Sequence, residues 1–112
     1  MKIGEVCLLT NDVVRLSNFY KTLLGVENNS TDDTHQLIIA EETTLTVWND
    51  GAERKANHNN ICIAFTVDDV DMEFERLKSL GVEIIDPPTQ RPWGAKNMKF
   101  KDPDGNHVFF RS

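Results

Sequence analysis

The sequence predicts an α+β fold built from two tandem strand–helix–strands modules, and three observations predict it. The chain nearly repeats itself: the stretch from Asp12-Val13 to Leu24-Gly25-Val26-Glu27 returns as Asp69-Val70 to Leu80-Gly81-Val82-Glu83, a period of about 56 residues that fills the chain with two copies. Each copy follows an apolar, strand-like run, Val6-Cys7-Leu8-Leu9 in one case and Ile61-Cys62-Ile63-Ala64-Phe65 in the other. Each then leads into short apolar runs separated by turn residues. Two copies of one such unit can enclose a cavity, so functional side chains are expected to point into it.

In module one, residues 2–10 read as a strand. Asp12 suits a helix N-cap, because its carboxylate can accept the free amide hydrogens of the first turn. Val13, Leu16, Phe19, Tyr20, Leu23 and Leu24 recur at helical spacing, and Gly25 suits a left-handed C-cap. Residues 26–31 read as a short edge strand. After the polar Thr31-Asp32-Asp33 turn, residues 37–40 and 43–48 form two strands of a hairpin. Residues 49–60 carry no apolar period. This bounds module one at 1–49, a linker at 50–60 and module two at 61–112.

Module two restarts the scheme. A strand spans 61–67, Asp69 caps a helix that runs to Leu80, and Gly81 stops it. A strand at 82–85 is broken by Asp86-Pro87-Pro88, since proline cannot donate to a ladder. Residues 90–94 are a loop. Residues 95–101 form a strand in which Met98 and Phe100 alternate with Lys99 and Lys101. Residues 102–106 (Asp-Pro-Asp-Gly-Asn) make a turn, with proline fixing φ and glycine supplying positive φ. The last strand runs from His107 to Arg111.

At 112 residues the chain is sized for one domain, 1–112. A net charge of −6 with no basic stripe excludes a nucleic-acid binder, which needs clustered Lys and Arg against phosphate. No apolar run is long enough to span a membrane. The chain enters a strand at once with no apolar leader, and its two cysteines lie inside strand patterns. Both features predict reduced thiols and a cytoplasmic location.

The order strand–helix–three strands, twice over, resembles the vicinal-oxygen-chelate superfamily of glyoxalase I, extradiol dioxygenases, fosfomycin-resistance enzymes and bleomycin-resistance proteins. Phe19-Tyr20 and Leu24-Gly25 in module one carry the likeness, as do Val67-Asp68-Asp69-Val70-Asp71 and Gly81-Val82 in module two. The strongest part is Pro92-Trp93-Gly94 followed by the 102–106 turn. The likeness covers the full chain. The fold it implies is two βαβββ modules forming a cup-shaped, partly open mixed β-sheet barrel with helices outside. That fold carries both metalloenzymes and metal-free binders.

Metal-dependent members of that superfamily take one ligand from the first strand and one from the last strand of each module, normally His, Glu or Gln. Transferred here, those positions are Glu5, Thr46, Cys62 and Phe109. A phenyl ring ligates nothing, and a neutral threonine hydroxyl is a poor donor to a transition metal. No cofactor is therefore expected. A divalent ion held by Glu5, Cys62 and His107 is the alternative, since His107 is one two-residue step from Phe109 on the same strand face.

Other candidates have two readings each. Glu5 is either a solvated strand-start residue or, if buried in the cup, a general base with a raised pKa. Cys7 and Cys62 read first as small buried hydrophobes, although Cys62 also stands at a cup position. Trp48, Trp93 and Phe109 suit the rim or floor of a cavity where a ligand can stack. Trp93 equally suits a staple holding its loop over the barrel. Arg91 could pair with a ligand carboxylate or phosphate. His35 and His58 read as surface residues, Glu41-Glu42 as a solvated turn, and Asp68-Asp69 as a helix cap.

These residues support a small-molecule binder, metal-independent and lined by Trp48, Cys62, Arg91, Trp93, His107 and Phe109. The alternative is a glyoxalase-like lyase or isomerase that uses a variant metal site or Glu5 as base. A third possibility is a structural module whose cup is merely core. Exposed sheet edges further predict a homodimer.

Overall fold

The computed structural model of the protein describes residues 3–55 and 62–112. The elements, in order, are β1 (Val6–Leu9), α1 (Val13–Leu24), β2 (His35–Ala40), β3 (Thr43–Trp48), β4 (Cys62–Thr66), α2 (Val70–Ser79), β5 (Ile84–Gln90), β6 (Lys96–Lys101) and β7 (His107–Arg111). They form two units, Met1–Lys55 and Ala56–Ser112, whose boundary falls in the segment expected to join the modules. The class is α+β, with two open mixed sheets. His58 lies outside the described residues.

In unit one, α1 begins where the cap chemistry places it. The Asp12 carboxylate accepts the Arg15 amide N–H at 3.1 Å, and Gly25 closes the helix at φ 66°. Leu16, Tyr20 and Leu23 are buried. They share the core with Leu8, Ile38, Leu45 and Val47 on one face of the sheet. That sheet has the order β1-β3-β2, with β1 parallel and β2 antiparallel to β3.

The edge strand expected at 26–31 is absent, and its polar side chains explain why. Asn28 accepts the Ser30 amide, Ser30 accepts the Asp32 amide, and Asp32 accepts the amides of Thr34 and His35. Each short polar side chain thus satisfies the backbone locally and competes with ladder formation. The buried Lys21 ammonium donates to the Ser30 carbonyl at 3.0 Å, tying this loop to α1.

Unit two follows the same logic. Asp69 accepts the amides of Asp71 and Met72 at the start of α2, and Gly81 follows the helix at φ 75°. The sheet order is β4-β7-β6-β5, with β4 and β7 parallel. Val70 and Leu77 of the helix are buried, as are Met98, Phe100, Val108 and Phe110 on one sheet face. Phe110 meets Phe100 edge-on at 5.0 Å and Phe65 at 6.1 Å.

β5 corrects a second expectation. It does not end at 85 but runs through Pro87 and Pro88 to Gln90, with irregularities in its pairing at Ile84/Asp86 and Asp86/Thr89. The strand lies at the sheet edge, where the missing proline N–H groups need no partner. The turn after β6 is pinned by the buried Asp102. Its carboxylate accepts the amides of Asp104 and Asn106 and the Asn106 side chain, all at 2.8–2.9 Å.

No helix among the described residues is long and apolar enough to cross a membrane.

Candidate functional site

Each sheet has one face toward its helix and one face away from it, and the sequence candidates divide between the two away-facing sides. Each unit is described by itself.

In unit one the register places Cys7, Leu9, Leu37, Ile39, Thr46 and Trp48 on the side opposite the Leu8/Ile38/Leu45/Val47 core. Leu9 is 40% exposed, Leu37 45%, Ile39 56% and Trp48 42%. At the centre is Thr46, 2% exposed, flanked in register by Cys7 and Leu37. Its hydroxyl is buried with no hydrogen-bond partner among the described residues. Trp48 ends β3 opposite His35, which is exposed as expected.

One expectation needs revision here. Cys7 is exposed and not a core residue, because its parity in β1 sets it on the face away from α1. Glu5 is exposed and precedes β1, outside the ladder. The residue across from Thr46 on β1 is Cys7.

In unit two the away-facing side is ordered in three rows. Cys62, His107 and Lys101 are register partners across β4, β7 and β6; so are Ala64, Phe109 and Lys99; so are Thr66, Arg111 and Asn97. Cys62 is exposed, again contrary to the reading as a buried hydrophobe. His107 and Phe109 are half-buried. The Lys99 ammonium lies 5.8 Å from the Phe109 ring centroid and 3.7 Å from the Asp86 carboxylate.

Arg91 and Trp93 belong to the loop between β5 and β6. That loop is closed by the Arg91 amide donating to the Ala95 carbonyl at 2.8 Å and Gly94 donating to the Arg91 carbonyl. The Arg91 guanidinium Nε donates to the Asn97 side-chain oxygen at 2.8 Å, so the loop cation is anchored to the row that holds Arg111. Trp93 is 73% exposed at the tip of this loop.

The positions that the resemblance assigns to metal ligands carry a carboxylate, a neutral hydroxyl, a thiol and a phenyl ring. That donor set does not match the His, Glu and Gln chelate of the metal-dependent relatives. Within unit two the donors brought side by side are Cys62 and His107, not Cys62 and Phe109. Among the described residues no group of three or more His, Cys, Asp and Glu is assembled.

Sequence reasoning missed Leu37 and Ile39, and it treated Lys99 and Lys101 only as the solvated half of an alternating strand. The apolar signal was present. Residues 37–39 are a continuous Leu-Ile-Ile run where a sheet with one wet face would alternate. The lysines carry no such signal; only the pairing with β7 shows that they flank Phe109 and His107.

A model of the Glyoxalase/Bleomycin resistance protein/Dioxygenase superfamily matches residues 2–110. The chain is 30% identical to the uncharacterized protein YraH of Bacillus subtilis (strain 168), over 96% of this chain and 95% of that one. Its fold matches a crystal structure of a glyoxalase/bleomycin resistance protein/dioxygenase from Nocardioides with a TM-score of 0.81, at 23% identity, covering 99% of this chain and 82% of that one. It also matches the lactoylglutathione lyase from Agrobacterium tumefaciens with a TM-score of 0.77, at 21% identity, covering 98% and 92%.

Proposed function

This chain belongs to the Glyoxalase/Bleomycin resistance protein/Dioxygenase superfamily, and from that premise we propose that it binds a small organic molecule without a resident metal ion. The observation that carries the proposal is the open face of the β1-β3-β2 sheet. Leu9, Leu37, Ile39 and Trp48 leave a large apolar surface in water, around a buried threonine hydroxyl that lacks a partner among the described residues. Apolar walls with a few fixed polar groups are what an organic ligand needs. The phenyl ring and neutral hydroxyl at the ligand-equivalent positions Phe109 and Thr46 support metal independence on chemical grounds. The proposed contacts are Trp48 within unit one and, within unit two, Cys62, Arg91, Trp93, His107 and Phe109, each unit taken by itself.

The same exposed apolar face supports a homodimer as part of the proposal, and the two free thiols suit a reducing, cytoplasmic compartment. Light scattering on the purified chain tests the first: a 12.8 kDa monomer at micromolar concentration removes it.

A second reading rests on the adjacency of Cys62 and His107. It is a glyoxalase-like lyase or isomerase that uses a variant divalent-metal site or Glu5 as base. One titration separates the two. Chelator-treated protein is mixed with an uncharged anilinonaphthalene fluorophore and, separately, with Ni, Zn, Mn, Fe(II) and Co. Saturable micromolar binding of the fluorophore with no thermal shift from any ion is the expected result. An ion at 100 times its Kd adds about 2.7 kcal/mol to stability; a shift of that size with any of the five, and none with the fluorophore, transfers the case to the enzyme.

A further inference from the structure

We propose that the away-facing side of the β4-β7-β6-β5 sheet recognises the anionic end of the ligand, so that the bound molecule is an organic anion with a flat apolar body. The proposal rests on the binding role inferred above and adds the ligand's chemical class.

The first support is charge placement. The chain as a whole carries −6, yet this face gathers Lys99, Lys101 and Arg111 in three adjacent rows, with Arg91 anchored on Asn97 beside Arg111. The one carboxylate paired in register with them is Asp86, which lies against Lys99. Lys101 and Arg111 form no ion pair with any described residue. Arg54, Arg76, Lys78 and Lys96, by contrast, are each paired with a carboxylate. Uncompensated cations on one sheet face of an acidic chain form a local well for anions.

The second support is the ring at its centre. Phe109 is half-buried between the Ala64 and Lys99 positions, with the Lys99 ammonium 5.8 Å from its centroid. Alanine on one side leaves room above the strand for a flat group to lie on the ring. Lys101 and Arg111 flank the ring one row away on either side. A molecule stacked on Phe109 therefore has a cation within reach at both ends, and a carboxylate, sulfonate or phosphate on it gains a charge-assisted hydrogen bond.

The test compares two probes with one body: anilinonaphthalene sulfonate and uncharged anilinonaphthalene, titrated by fluorescence into the full chain. The sulfonate is expected to bind about tenfold more tightly, a preference of the size one charge-assisted contact provides. Lys101→Met and Arg111→Met are each expected to erase most of that preference while leaving the uncharged probe unchanged. Lys78→Met, which removes the cation 4.5 Å from the Phe74 ring on α2, controls for nonspecific sulfonate binding and is expected to change neither probe. Bound sulfonate is also expected to slow alkylation of Cys62 by N-ethylmaleimide about fivefold, because Cys62 shares a row with His107 and Lys101.

Equal affinity for the two probes overturns the charge assignment and leaves the binding role intact. Binding of neither probe overturns both. Tight sulfonate binding with an unchanged Cys62 rate, or an equal loss in Lys78→Met, overturns the location.

Discussion

Thr46 and Cys7 are register partners on the parallel β1–β3 pair, and they differ in one respect that matters: Cys7 is exposed, whereas Thr46 is 2% exposed with its hydroxyl unpartnered among the described residues. A buried hydroxyl without a partner costs stability, and valine has nearly the same shape without it. Thr46→Val is expected to stabilise the free protein by about 1 kcal/mol, raising the thermal midpoint by about 3–5 °C. A drop in the midpoint would show that the hydroxyl is satisfied in solution.

The two helix caps are unequal. Asp69 accepts two amide hydrogens and Asp12 one. Replacing either by alanine removes a cap worth about 1 kcal/mol. Asp69→Ala is expected to be the more damaging of the two in urea unfolding, and a reversed order would refute the count of bonds as the deciding factor.

Asp102→Ala removes a buried carboxylate that accepts two backbone amides and the Asn106 side chain. The stranded donors make this the most costly loop substitution, at about 2–4 kcal/mol. Asp102→Asn keeps an acceptor oxygen and is expected to recover part of the loss. Chemical denaturation of the two variants side by side checks both statements.

The surface turns of unit one at Asp50 and Asp32 resist acid further than an ordinary carboxylate does. The Arg54 fork, together with the Ala52 amide, lowers the pKa of Asp50 to about 2, and the amides of His35 and Thr34 hold Asp32 below its ordinary 3.8. A carboxyl depressed in the folded chain contributes stability that is fully present above its unfolded value and is lost as pH falls through the folded value. The turn at 50–54 is thus expected to keep its bonds at pH 5 and release them between about pH 4 and 2. Carboxyl-carbon NMR shifts of Asp50 followed down this range report it, and a midpoint near 4 would contradict the Arg54 pairing.

Much of the fold was legible because its signals are local. The caps at Asp12 and Asp69, the Gly25 stop, and the bounds of Thr43–Trp48 and His107–Arg111 follow from short-range chemistry. The two errors share a cause. Residues 26–31 and the Pro87-Pro88 pair were judged as if ladder bonds were the only backbone partners available. In one place side chains took that role; in the other, position at the sheet edge made the missing donors harmless. The candidate site was less legible. Alternation predicts which residues share a face, but it does not tell which of two faces meets the helix, and so Cys7 and Cys62 were set inside.

β7 carries two sets of instructions on one strand of five residues: Val108 and Phe110 for the core, His107, Phe109 and Arg111 for the opposite face. Odd and even positions can then evolve independently by substitution, since exchanging Phe109 or Arg111 leaves the Phe100–Phe110 packing alone. Insertion or deletion has no such freedom. A single residue gained or lost in the 102–106 turn reverses the parity of the whole strand, turning a cation toward the core and an aromatic core residue toward water. The bonds around Asp102 act as a reading-frame lock for the strand that follows, and new ligand preferences on this scaffold are open to point changes while length changes at this turn are closed.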